Sequence, residues 1–379
     1  MDEKTVTIMR FRKRRAARLA LMGKTERMDA ADWKENDHPR SKDGKFTSGS
    51  GSNSGPNKTP AKTPAKKAKT GAPAAPKHTA STLQSKLPKP KAGTEYSPAT
   101  IKALEGIADR ANKNPDYEKR MNKVLSSLTD KDIIKQKGED GKDVTCIPGL
   151  SYKIEPELQG CSDEAKKLFK RRIAGGEKLT SDMLDISSEL GGSLRGLEYC
   201  YKTGESLGRK INAKIDEVKD TIDGELSDAD ILNSIDDAVR YTFMCDHDDI
   251  GDKCLAAEEA LKKRGYTITS RDNKYQPKYD KNGKEVPRGY KGVHLQVMTP
   301  DGDLVELQIH SKESMEVKEM NHPIYEDARK LKKGSPERLA LEKQMIDNTA
   351  KLSNPRGILG LPSFDAGEGK RRKAKAKIG

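Results

Sequence analysis

The chain has 379 residues, room for one good-sized domain with appendages or for two small ones. Hydrophobic residues make up 33%, aromatics 4% and charged residues 35%, a balance too polar for the whole chain to pack as one uniform globule. The formal charge of +14 belongs to the ends. Residues 1–95 hold 22 Lys/Arg against 9 Asp/Glu, residues 370–379 add six cations, and 96–369 is left at −5. Contact with nucleic acid or an anionic surface therefore suits the basic tails and is not implied for the body. No apolar run approaches the roughly 20 residues that span a bilayer. The start, MDEKTVTIMRFRKRRAARLALMG, has no sustained apolar core and does not read as a secretory signal. Cys146, Cys161, Cys200, Cys245 and Cys254 are odd in number and contain no C-x-x-C pair, which points to reduced thiols in a cytoplasm, the cell's own or a host's.

Residues 5–30 read as a short basic helix. From about 40 to 90 the chain turns to Ser, Gly, Pro and Lys, including TPAKTPAKKAKTGAPAAPK, with no apolar face to bury; this predicts a disordered, extended linker. Within it DHPRSKDGKFTSGSG resembles segments of tailed-phage head and virion proteins. Order is expected from Ser97, where a Ser-Pro start precedes Ile101, Leu104 and Ile107 at helical spacing. Further helices are read over Cys161–Ile173 and Leu179–Leu190. Beyond 194 strands and helices alternate. Val239–Cys245 and Tyr266–Ser270 read as strands, with a helix over Cys254–Lys263 between them. Gly292–Met298 and Leu304–His310 read as a hairpin around Pro300, Asp301 and Gly302, and Lys312–Lys333 and Pro336–Thr349 as helices. No internal repeat is present. The fold class is α/β (α+β), a mixed β-sheet flanked by helices.

Three segments carry polar residues in arrangements suited to chemistry. In the hairpin, Val293, Leu295 and Val297 alternate with His294 and Gln296, and Val305, Leu307 and Ile309 with Glu306 and Gln308. A three-residue turn would set 296 opposite 306 and 294 opposite 308, so His294, Gln296, Glu306 and Gln308 would share one face. The strand IDDAVRYTFMC starts with Asp236 and Asp237 and then alternates Arg240 and Thr242 with apolar residues, bringing carboxylate and guanidinium to one sheet edge. In YKTGESLGRKINAKI, Leu207, Ile211 and Ile215 form a helical stripe. Lys202, Ser206 and Arg209 lie in the turn before that helix and in its first turn, a setting that suits a phosphate chain. The run Asp246-His247-Asp248-Asp249 reads as a polar loop capping the next helix rather than a metal site.

Taken in order, these segments resemble the synthetase domain of the RelA/SpoT family. KTGESLGRK resembles its K-S-x-x-S-x-x-x-K ATP-phosphate segment, and IDDAVRYTF the strand with the magnesium-binding Asp. GYKGVHLQV matches G-Y-x-S-x-H, VELQIHS matches E-x-Q-I-R-T, and EMNHPIYEDAR is similar to the closing E…H-x-x-Y helix. The likeness spans about 194–329 and implies a nucleotidyltransferase-like domain that moves pyrophosphate from ATP to a 3′-hydroxyl. It implies that Lys202, Ser206, Arg209 and Arg240 hold ATP phosphates and that Asp237, or Asp236 in the other register, binds Mg²⁺. Tyr290 would stack on the acceptor base and His294 contact its phosphate or ribose. Glu306 would complete the metal site and act as general base. The acceptor implied is a guanine or adenine nucleotide, with the tRNA 3′ end as the alternative.

The family's Arg two residues before the Lys is Cys200 here, which implies either that Arg195 or Arg209 replaces its charge or that ATP is bound less tightly, and the family's serine after the Tyr is Gly292. An acidic insertion lies at 216–230, and the Asp-to-Arg spacing is compressed. No His-Asp hydrolase motif lies upstream, which suggests a growth-arresting toxin or effector. The rival from another class is a catalytically inactive virion or nucleic-acid-binding protein. The organisation expected is a basic leader over 1–95, a helical region over 96–190, the synthetase-like domain over 191–355 and a basic tail over 356–379.

Overall fold

The computed structural model of the protein describes residues 76–218, 227–280 and 282–366. The expected helix over 5–30, most of the expected linker and the cationic stretch 370–379 lie outside the described residues. The described end of that linker is packed rather than extended. Helix α1 (Ala80–Gln84) is closed by a capping box between Thr79 and Thr82, Leu83 is fully buried, and His78 Nε2 lies 2.9 Å from Glu118 Oε1. One leucine and one cap suffice because α2 (Pro98–Lys113) and α3 (Pro115–Ser127) already supply the rest of this core, with Leu104, Ile107 and Met121 fully buried. Ser97 caps α2 through Thr100 N–H, with Pro98 in its first turn, as its Ser-Pro start predicts.

The region read as helical also holds a three-stranded sheet. Strand β1 (Glu95–Tyr96) runs parallel to β3 (Asp143–Cys146), and β2 (Ile134–Lys137) pairs antiparallel on its other edge. Strands of two to four residues are too short to show an alternation in sequence. Helices α4 (Leu150–Ile154), α5 (Asp163–Ala174) and α6 (Gly176–Glu189) follow, the last two near their predicted bounds.

The second sheet is mixed and six-stranded. Its strands are β4 (Ser193–Arg195), β5 (Arg240–Met244), β6 (Thr267–Asn273), β9 (Val293–Met298), β10 (Leu304–His310) and β11 (Phe364–Asp365), in the order β11–β6–β9–β10–β5–β4. Strand β10 is parallel to β5 and antiparallel to β9. Between β6 and β9 a small hairpin pairs β7 (Lys278–Tyr279) with β8 (Glu285–Val286). Helix α7 (Gly204–Val218) and α8 (Asp228–Ser234) precede β5, and α9 (Ile250–Lys263) follows it. After β10 come α10 (Lys312–Ala328) and α11 (Pro336–Ala350). The first of these stops five residues short of the expected Lys333, in a turn that passes through left-handed Gly334 to the Ser335 cap of α11. The expected basic tail begins too early as well: Ile358 and Leu361 are buried and β11 extends the sheet, so the fold continues to at least Ala366.

One face of β10, with Val305, Leu307 and Ile309, enters the apolar core with Tyr241, Phe243, Val293, Leu295 and Val297. The other face is equally buried, all seven residues of β10 being covered. Polar Glu306, Gln308 and His310 therefore meet other side chains, not water. All five cysteines are free thiols.

Helix α7 owes its position to two glycines one turn apart. A Cβ on Gly204 would lie 2.0 Å from Glu157 O, and one on Gly208 2.5 Å from Gln159 O. Only hydrogen at these positions lets the 157–159 backbone cross the helix start. Gly204→Ala is therefore expected to destabilise the protein by at least the ~1–3 kcal/mol of ordinary overpacking, because the obstacle is backbone. Chemical denaturation of the variant measures this; an unchanged midpoint would contradict the packing described.

Candidate active site

The strand registers carry the site. Thr299 and Asp303 bracket a three-residue turn with Gly302 at φ 81°, and as expected Gln296 faces Glu306 and His294 faces Gln308. On the other side of β10, Arg240 is the partner of Glu306 and Thr242 that of Gln308. One row thus runs Arg240, Glu306, Gln296 across three strands. Asp236, just before β5, accepts from Gln296 Nε2.

Glu306 is 8% exposed. Its Oε1 lies 3.0 Å from His294 Nδ1, and its Oε2 accepts from Gln308 Nε2 at 2.8 Å. Burial alone would raise the carboxyl's pKa, but the hydrogen bond from His294 and the charge of Arg240 outweigh it, and the group stays below the usual carboxylate range. A buried, ionised carboxylate results. Gln308 Oε1 accepts in turn from Lys318 Nζ of α10 at 2.7 Å. Burial and the charge of Arg240 bring the Lys318 ammonium down to about 8.

Next to this row, Asp237 is held between two lysines, Lys202 Nζ at 2.8 Å and Lys210 Nζ at 2.6 Å. Burial is again outweighed, here by the two ammonium groups, and the Asp237 carboxyl falls to about 2. Lys202 is placed by backbone pairing of its segment with the start of β5: Lys202 N–H donates to Ala238 O, and Arg240 N–H to Cys200 O. Lys210 comes from the second turn of α7. Tyr290 is half-buried, and its hydroxyl lies 2.7 Å from both His294 Nε2 and His310 Nε2. His310 Nδ1 is 2.9 Å from Ser314 Oγ.

Of the residues singled out in the sequence, Lys202, Asp236, Asp237, Arg240, Tyr290, His294 and Glu306 come together here, with Ser206 in the first turn of the neighbouring α7. Arg209 does not join them. It is 67% exposed and among the described residues pairs with Glu205, at 3.9 Å, because the helix turns Lys210 inward instead. Lys210 was legible: KTGESLGRK ends on it, four residues after Ser206 on the same helical face. Arg195 does not stand in for the missing arginine, since Glu139 and Glu319 bind both ends of its guanidinium. Cys200 faces the apolar core, 1% exposed. In the loop after β5, His247 lies 3.0 Å from both Ser311 Oγ and Ser353 Oγ, and neither Asp246 nor Asp249 caps α9 with its side chain.

The family resemblance implies a magnesium site at these carboxylates. As arranged, they do not compose one. Asp237 has an ammonium on each oxygen, Asp236 is engaged by Gln296, and both Glu306 oxygens accept hydrogen bonds. No group of three metal-capable side chains occurs among the described residues.

No protein-family model matches the chain, and no curated protein matches it in sequence. Solved structures similar to it include the complex between the Type VI effector Tas1 and its immunity protein, at 19% identity and a TM-score of 0.34, covering 49% of this chain and 94% of that one. The small alarmone synthetase 1 from Bacillus subtilis is similar at 16% identity and a TM-score of 0.33, over 57% of this chain and 100% of that one. The same synthetase bound to its product pppGpp gives 17% and 0.25, over 47% and 76%. No helix among the described residues is long and apolar enough to cross a membrane.

Proposed function

We propose that this protein transfers pyrophosphate from ATP to the 3′-hydroxyl of a guanine or adenine nucleotide. The observation that carries the reading is Glu306: a buried carboxylate kept ionised by its neighbours, one strand from Arg240 and close to the Lys202–Asp237–Lys210 cluster. Such a transfer asks little covalent chemistry of the protein. It needs a base at the attacking hydroxyl and fixed cations on the phosphate chain. The order of the matching segments in the sequence supports the same assignment.

In this reading Lys202, Lys210 and Arg240 bind the triphosphate, with Ser206 at the start of α7. Magnesium enters with the ATP as part of the substrate. Tyr290 and His294 lie on the acceptor side. Glu306 takes the proton of the 3′-hydroxyl; the new bond forms from that oxygen to the β-phosphorus, the α–β bridge breaks, and AMP leaves.

The test is to incubate the full chain and γ-labelled ATP separately with GDP, GTP, ADP and total tRNA. A labelled nucleotide with matching AMP release is expected. Labelled tRNA alone would move the acceptor to the RNA 3′ end, and label on no acceptor would reject transfer. Lys210→Ala is expected to raise KM for ATP about tenfold or more, the scale of one charged hydrogen bond (~1.5–3 kcal/mol). An unchanged KM would remove Lys210 from the phosphate site. We also propose that the activity arrests growth: expression in a bacterial cytoplasm should stop colony formation, and Glu306→Gln should restore it.

A further inference from the structure

The two oxygens of Glu306 are each held by a side chain that is itself held, and both lines of contact end on the same helix. The first runs from Oε1 to His294 Nδ1 at 3.0 Å, from His294 Nε2 to the Tyr290 hydroxyl at 2.7 Å, and on to His310 Nε2 at 2.7 Å. It ends with His310 Nδ1, 2.9 Å from Ser314 Oγ. The second runs from Oε2 to Gln308 Nε2 at 2.8 Å and from Gln308 Oε1 to Lys318 Nζ at 2.7 Å. Ser314 and Lys318 are four residues apart on α10, one helical turn, and so project from one face.

The hydrogen-bond directions agree along both lines. A carboxylate only accepts, so His294 donates from Nδ1, and as a neutral imidazole it accepts at Nε2 from the Tyr290 O–H. The tyrosine oxygen then accepts from His310 Nε2–H, and His310 Nδ1, at 2.9 Å the nearer of two acceptors beside the Ser314 hydroxyl (Ser311 O lies at 3.1 Å), accepts from Ser314 O–H, while Ser314 Oγ accepts from Ser311 N–H at 3.0 Å. Lysine only donates, so the Gln308 carbonyl faces Lys318 and its amide faces Glu306. No donor meets a donor. Gly292 is part of this arrangement: a Cβ there would lie 2.8 Å from the Tyr290 hydroxyl and 2.7 Å from His310 Cε1. His310 and Ser314 are 0% and 1% exposed, out of reach of a substrate.

Resting on the reading of Glu306 as the base, we propose that α10 sets the direction of the Glu306 carboxylate through these two chains, with His310 and Lys318 as positioning residues of the reaction. The helix would then govern the rate without touching the nucleotides. A base turned by about an ångström loses its line to the hydroxyl proton, which costs on the order of a hundredfold in rate and leaves substrate binding untouched.

The experiment compares His310→Ala, His310→Gln and Lys318→Met with the parent chain by two measurements. The first is transfer from γ-labelled ATP to whichever acceptor the preceding assay labels. His310→Ala and Lys318→Met are expected to lower kcat by about 10–100-fold with KM for ATP within about twofold. His310→Gln, whose Nε2–H can still reach the tyrosine oxygen, should recover most of the loss. The second measurement needs no substrate. The His294 Nδ1–H proton, seen by NMR in nitrogen-15-labelled protein, should exchange with water about tenfold faster in His310→Ala, and the Gln308 side-chain amide likewise in Lys318→Met. Folded variants with parental kcat and parental exchange overturn the proposal. If the parent labels no acceptor, the reading of Glu306 as base fails by itself, and the exchange rates alone decide whether the brace exists.

Discussion

Glu306→Gln is expected to leave the protein folded and to slow pyrophosphate transfer by about 10²–10⁴-fold, the contribution of a positioned general base. The substitution keeps the volume of a side chain that is 8% exposed on a central strand. It removes the negative charge and one acceptor. If the new amide keeps its oxygen toward His294, its nitrogen meets the Gln308 amide, donor against donor. Flipping Gln308 only moves the conflict to Lys318. One unsatisfied contact therefore remains, worth about 1–3 kcal/mol of stability. A modest fall in melting temperature should thus accompany the loss of turnover. Full turnover with reduced stability would make Glu306 a structural carboxylate and remove the catalytic assignment.

Asp237→Asn should act in the opposite balance, with stability changing most. Lys202 and Lys210 converge on this carboxylate, and their side chains are 22% and 34% exposed. Removing the anion leaves two ammonium groups facing each other in a partly buried site. The expected cost is about 3 kcal/mol, the low end for breaking a buried ion pair, because the cluster is partly hydrated. The pH dependence has a definite sign. The folded carboxyl lies at about 2 and an unfolded one at roughly 3.9, so the unfolded chain binds more protons between these values. The contribution of Asp237 is complete above about pH 4 and is lost as pH falls toward 2. Denaturant titrations from pH 5 to 2 should show this loss in the parent and a flatter profile in Asp237→Asn. Identical profiles would mean that the two lysines do not hold Asp237 in solution.

Local alternation was enough to give the hairpin. Val293, Leu295, Val297, Val305, Leu307 and Ile309 fall on one side whatever the rest of the chain does, so the pairings Gln296–Glu306 and His294–Gln308 follow from period two and a short turn. Helices α5, α6, α9 and α11 were legible for the same reason, in their 3.6-residue stripes and their serine or glycine punctuation. The cluster of Lys202, Asp237, Arg240, Tyr290, His294 and Glu306 was reached by combining that local pattern with motif order. Arg209 was read as the phosphate cation at the start of α7; the docking of that helix gives the place to Lys210, the lysine on which KTGESLGRK ends.

The amino-acid sequence by itself determined the mixed α/β class, the polar stripe on β9 and β10, and the residues that line it, because these depend on contacts between near neighbours. Tertiary structure alone decided that the stripe is buried under α10, since Ser314 and Lys318 meet it across a fold that no periodicity encodes. It also decided that 76–95 and 356–366 belong to the packed body. Leu83 stands in a polar stretch and Ile358 and Leu361 in a short segment broken by glycine and proline, and their burial depends on surfaces built from distant parts of the chain. Composition averages over such residues; packing does not. The same holds for the carboxylates: sequence placed Asp236 and Asp237 with Arg240 at the start of one strand and Glu306 on the polar face of the hairpin, but which cation or amide each one meets was set by the register of β5 against β10 and by two glycines at the start of α7.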